Sequence, residues 1–228
     1  SAKKPVVDRM LEALPGTLML AGTALVFTLL YALPAGIISA LNRNKWVDYL
    51  LRAASFVGVS MPTFWLGLVL IYIFGLKLGL VPIATSRVTP IGVILPAATL
   101  AVVVGSKYMR QVRLVILEEM EKDYVIGARA RGVSEMKILF GHILPNAVLP
   151  LITILGVLIG WLLGGVAVVE MVFSWPGLGN MAVYAITMRD YPLIEGFVLW
   201  VALAYMCINA LIDASYVLLD PRLKRERA

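Results

Sequence analysis

Glu170 and Asp213 stand in apolar sequence, with Asn209 one helical turn before Asp213. An acid in such a place is costly unless it faces a cavity or a partner. Three roles are open to these acids: ion or proton passage, as in a secondary transporter or channel; pairing between helices, the role expected of Asn209 and Asp213; or, for Glu170, solvation at the level of the lipid headgroups. Other chemistry finds little support. The chain has one His, His142, and one Cys, Cys207, with no metal-ligand spacing between them, so no metal site is expected and Cys207 reads as an apolar filler. No GxxxxGK[ST] phosphate loop occurs, so ATP hydrolysis is not expected of this chain.

The elements that must position these residues are membrane helices. Of the 228 residues 61% are hydrophobic, against about 45–50% in globular proteins, and the mean hydropathy is +0.90. Runs of roughly 20 apolar residues, enough to cross about 30 Å of hydrocarbon, predict five spans: Thr17 to Ala40, Ala53 to Phe74, Ile91 to Val104 continuing as a more polar helix to Met120, Leu144 to Phe173, and Pro192 to Leu218. Lys and Arg are enriched in cytoplasmic loops. Arg43, Lys45, Arg52, Lys107, Arg110, Arg113, Lys122, Arg129, Arg131, Lys137 and the basic tail fall on one side, which is therefore inside, and Lys3, Lys4, Arg9, Lys77, Arg87 and Arg189 fall outside. The net charge of +6 is thus an orientation signal, and no nucleic-acid partner is implied. This topology makes His142 cytoplasmic, so an intramembrane protease with a Ser–His pair lacks its base.

Proline at 34, 62, 96, 145 and 150 predicts kinks or half-helix starts, although proline is also simply commoner in membrane helices. Gly156, Gly160 and Gly164 recur at four-residue spacing and make a ridge for close helix approach, whether by another span or a second subunit. The stretch from Val168 through Trp175 to Gly196 is too apolar for an ordinary loop and too interrupted for a span. It is expected to be a re-entrant or pathway-capping element.

The most patterned stretch is Asp123 to Pro150. Tyr124, Val125 and Ala128 are helically spaced before Gly132, and after Ser134 the apolar residues Met136, Leu139, Phe140 and Ile143 recur at i, i+3, i+4 and i+7. Two short amphipathic helices are predicted, broken by a left-handed Gly132, with Ser134 capping the second and Glu135 near its positive end. Such order in a polar loop implies that something docks there. A helix lying on anionic lipid is the competing reading, and Glu118, Glu119, Glu121 and Asp123 stand against it.

ARARG at 128–132, then nine residues, then His142 to Pro145, resembles the EAA loop of binding-protein-dependent ABC importer permeases. Gly132, Leu144 and Pro145 match in register; Ile126 and Gly127 replace the usual Glu and Ala, and His142 stands where Ile is usual. These departures, with GVSMPTFWLG at 58–67, FSWPGLG at 173–179, RDYPLIEG at 189–196 and LDPR at 219–222, are similar to the branch importing dipeptides, oligopeptides and nickel. The resemblance implies an all-α membrane protein, a bundle of about five transmembrane helices with a cytoplasmic coupling-helix loop, in the inner membrane of a prokaryotic cell.

It further implies four pieces: residues 1–16 an outer amphipathic lead-in, 17–218 the permease domain, 123–143 the coupling helices within it, and 219–228 a cytoplasmic tail. Family members usually carry one more span ahead of this start, which suits Ser1 as the start of a fragment. Ala128, Arg129, Ala130, Arg131, Gly132, Glu135, Lys137 and His142 are the implied ATPase-coupling residues. Ser60, Met61, Trp65, Glu170 and Trp175 are expected to line the pathway. The implied partners are a second permease, two cytoplasmic ATPases that bind ATP and Mg, an extracytoplasmic binding protein, and membrane lipid. Peptide and nickel both remain open as substrate.

Overall fold

The computed structural model describes residues 4–83 and 87–219, without the side chains of 163–165, 213 and 215–219. Expectations that rest on the Asp213 side chain, on Gly164 and on the 219–228 tail lie outside the described residues. Within them the chain is helical, with no strand.

Helix α1, Val6–Leu41, runs 36 residues without a break. Residues 6–16 of the expected lead-in are its first turns, held by an ion pair of Arg9 to Asp190 at 2.9 Å. Leu20, Ala24, Thr28, Ala32, Gly36 and Ala40 form a buried stripe at four-residue intervals. Their small side chains let α4, Ile94–Met120, approach closely. A Cβ on Gly36 would run into Val112, and one on Gly105 into the Tyr31 ring. The Tyr31 hydroxyl donates to the carbonyls of Ala101 and Val102, 3.0 Å each. Helix α4 is the hub of the bundle, buried on most of its length.

Between them, the single span expected over Ala53 to Phe74 is not continuous. Helix α2, Trp46–Ser60, and helix α3, Thr63–Leu70, with its π-helical extension to Lys77, are bent by 102°. Pro62 causes the bend: its ring forces Met61 out of the helical region, to φ −80 and ψ 129. Among the described residues three helices are long and apolar enough to cross a membrane, and the bent pair makes four if it is one span. Helix α4, the remaining expected span, is long enough but carries Lys107, Arg110 and Arg113.

The second short helix predicted after Gly132 is not separate either. Helix α6, Glu135–Ile138, passes through a π-helical turn, Leu139–Ile143, into α7, Leu144–Gly165. Pro145 explains the turn, because in a regular helix its ring would strike the Gly141 carbonyl. The turn also resets which face is buried. Ile138, Leu139, Ile143, Ala147 and Leu151 point inward, while Met136 and Phe140 are 62% and 61% exposed, so the apolar residues at i, i+3, i+4 and i+7 divide between two faces.

Helix α8, Ala167–Val172, and helix α9, Leu178–Met188, make the irregular segment, and α10, Tyr191–Leu219, returns along α7. Gly156 and Gly160 lie against Ile212 and Tyr205, so this part of the ridge serves a helix of the same chain. Two apolar cores result. One, near α5 (Asp123–Ala130), centres on Tyr108, Val112 and Ile116; the other, near α8, on Leu100, Leu162, Phe173 and Trp175.

Candidate functional site

The corner between α5 and α6 is built inward and outward at once. Val125, Ala128, Ile138 and Leu139 are buried in the core beside Ile116 and fix its inner face. At the bend Gly132 has φ +76, the Val133 N–H donates to the Ala128 carbonyl at 3.2 Å, and the Gly132 N–H to that of Arg129 at 2.9 Å. This is the paired bonding that ends a helix on a left-handed residue. Ser134 takes the cap conformation but makes no side-chain cap bond, so its expected capping role is not seen. Arg129 instead clips the corner shut, donating to both Glu135 oxygens at 2.8 and 3.0 Å. That bond raises the Arg129 guanidinium further above its ordinary value.

At the start of α5 the Tyr124 hydroxyl donates to Glu119, which also pairs with Lys122. Partial burial, and then the Glu119 carboxylate, push the Tyr124 phenol up to about 12, so it stays a neutral donor. Facing outward from this braced corner are Ile126, Met136 and Phe140, with Ala130, Arg131, Lys137 and His142 around them.

A second site ties α1, α2 and α4 together. Asp48, fully buried, receives the Arg113 guanidinium at 2.8 and 2.7 Å, the Ser39 hydroxyl at 2.5 Å and the Asn44 N–H at 3.0 Å. Beside it opens a cleft of about 850 Å³ lined by Tyr49, Arg52, Phe56, Lys107, Arg110 and Arg113. Phe56 also lines a smaller cleft, about 410 Å³, at the α2–α3 elbow with Ser60, Met61 and Trp65.

The third site is a buried knot at the α8 end. Glu170 accepts the Thr17 hydroxyl at 2.7 Å and the Asn180 N–H, near the start of α9, at 2.9 Å; Thr17 in turn accepts the Leu178 N–H at 2.8 Å. The Trp175 indole donates to the Gly16 carbonyl at 2.9 Å, and the Asn180 amide to the Trp175 carbonyl at 3.1 Å. Ser174, left-handed at φ 51, turns the chain between α8 and α9.

Residues 32–225 match the family described as binding-protein-dependent transport system inner membrane component. The chain belongs to that family. It is an ABC importer permease, an inner-membrane component rather than an enzyme. The glutathione transport system permease protein GsiC of Escherichia coli strain K12 is 37% identical over 223 residues, 98% of this chain and 72% of that protein. GsiC of Shigella dysenteriae serotype 1 aligns equally well, at 37% over 223 residues. Among solved structures, an inward-facing MetNI methionine ABC transporter superposes with a TM-score of 0.80 at 19% identity, covering 96% of this chain and 99% of that one. An amino acid ABC transporter solved with histidines gives 0.62 at 19%, covering 95% and 94%.

The permease thus gathers its expected coupling residues at one corner, with a division among them. Ala128 and Gly132 build the corner, Arg129 and Glu135 brace it, and Ala130, Arg131, Lys137 and His142 are exposed. Of the five expected pathway residues, Ser60, Met61 and Trp65 share a cleft, whereas Glu170 and Trp175 are 0% exposed. Thr17, Asn180, Ser39, Asp48 and Arg113 were not singled out by the sequence. Asp48 alone left a trace there, as an acid in an otherwise basic stretch.

Proposed function

We propose that the permease moves small peptides and that the corner at 123–143 seats one of two cytoplasmic ATPase subunits, which bind the ATP and Mg. The observation that carries this is the corner itself. Its inner face is locked into the core while Ile126, at 53% exposure, and Met136 and Phe140 stay uncovered beside Arg131 and Lys137. Exposed apolar anchors ringed by charge on a fixed backbone are what a partner's groove can grip. Because α6 is continuous with α7 through residues 135–165, a push on the corner is a push on a membrane helix. Peptide as cargo is supported by the GsiC relatives, whose name gives glutathione, a tripeptide, as their substrate. A second permease and an extracytoplasmic binding protein complete this reading, and Ser60, Met61 and Trp65 line part of the route.

The test is co-purification of the ATPases with a permease carrying Ile126→Asp and Phe140→Asp. Two residues near the centre of a modest interface should dominate it, so the ATPases should be lost while the permease stays inserted. Retention of the ATPases and unaltered peptide uptake would remove the corner from the docking role.

A further inference from the structure

The cleft between α2 and α4 carries more positive charge than the fold needs. Arg113 is satisfied by Asp48, but Arg52, Lys107 and Arg110 have no ion-pair partner among the described residues. Lys107 stands at the midpoint of the 27-residue α4, about 20 Å from either end at 1.5 Å per residue. Three unpaired cations cannot face hydrocarbon cheaply, so wherever the α2–α4 face lies within the bilayer it must be hydrated. The aromatic neighbours hold the cations in place without neutralising them: Arg52 lies 5.8 Å from the Tyr49 ring centre and Lys107 5.1 Å from that of Trp161. Phe56 lines both this cleft and the one at the elbow that holds Ser60, Met61 and Trp65.

We infer that this basic cleft is the inner half of the translocation route and that it takes carboxylate-bearing peptides with net negative charge. The inference rests on the permease reading above and narrows its substrate. A water-filled cleft lined by one sign of charge concentrates the opposite ion by tenfold or more. Guanidinium groups match carboxylates in geometry. Three separate cations, none closed into a cage, give an anion successive weak sites, which is what passage requires of a lining. The same charge repels a bare divalent metal cation, so nickel would pass this cleft only inside an anionic chelate.

The test uses the assembled transporter in inverted membrane vesicles, carrying Cys207→Ser and a single reporter, Gln111→Cys on one wall of the cleft or Ala53→Cys on the other. Each reporter is modified by an anionic and a cationic methanethiosulfonate, with rates normalised to a free thiol. The anionic reagent should react about tenfold faster, and Arg52→Gln with Arg110→Gln should reduce the preference to about twofold or less. The peptide Ala-Glu-Ala, added at millimolar concentration, should slow modification at least about threefold, while Ala-Gln-Ala amide should not. Equal rates for the two reagents, protection by both peptides alike, or no reaction at either reporter because lipid or the second permease fills the cleft would each overturn the inference. ATP-driven uptake by the Cys207→Ser parent tests the permease reading separately, since a failure there leaves the reagent ratio to be read on its own.

Discussion

Each end of the bundle is tied by one fully buried acid, and the two acids are satisfied in opposite ways. At the α5 end Asp48 meets a guanidinium, a hydroxyl and a backbone N–H. At the α8 end Glu170 meets neutral donors among the described residues, the Thr17 hydroxyl and the backbone N–H groups of Asn180 and Gly179. Both join α1 to later helices, yet the first tie is made by charge and the second by shape and hydrogen-bond count. The difference bears on which end can move. An ion pair whose guanidinium borders an open cleft can exchange that contact for water or solute, whereas the knot around Glu170 and Trp175, 0% exposed, has no such substitute.

Matched isosteric changes probe this contrast most directly. Asp48→Asn should cost about 3 kcal/mol, the low end for breaking a buried pair because Arg113 keeps some contact with water. It should appear as a clear drop in the thermal unfolding midpoint of the detergent-solubilised complex. Next comes Gly177→Ala, with an expected cost of about 2 kcal/mol from overpacking, since its methyl group would land on the Glu170 carboxylate. Gly177 has φ −134, which any residue adopts, so only space is at issue. The same unfolding assay checks it, and pairing it with Glu170→Ala should relieve part of the loss.

Gly132→Ala is the converse case, with φ +76 and nothing within 4 Å of the added carbon. The backbone alone should charge about 1 kcal/mol, leaving insertion intact while raising protease cleavage near the corner. Smallest of all should be Glu170→Gln, within about 1 kcal/mol, because the amide can accept from Asn180 and donate to Thr17. If Glu170→Gln proved as damaging as Asp48→Asn, the knot would be an ionic site and the contrast between the two ends would fall.

The sequence revealed those features whose cause is local. Hydropathy showed the apolar runs, and Gly132 showed the corner, because a glycine that ends a helix carries its reason in its own backbone. The elbow was only half legible: Pro62 announced a kink, but a 102° bend depends on what α3 packs against. The single stripe of Met136, Leu139, Phe140 and Ile143 does not hold, since the i, i+3, i+4, i+7 pattern assumes 3.6 residues per turn and the π-helical turn breaks that count. The left-handed Ser174 and Arg189 are imposed by helix ends that could as well have used glycine, and nothing in their side chains gives them away. Glu170 was visible as an anomaly but not as a knot, because Thr17 lies 153 residues away in the chain.

The π-helical turn at Leu139–Ile143 also sets a limit on how this chain can lose or gain residues. One residue corresponds to about 100° of rotation about a helix axis. Removing one here would leave corner and span each folded, yet would swing Ile126, Met136 and Phe140 around the axis to a different compass bearing. The direction in which the corner presents itself to a subunit below is thus encoded as a residue count. A single-codon deletion in this turn would misaim the permease without unfolding it.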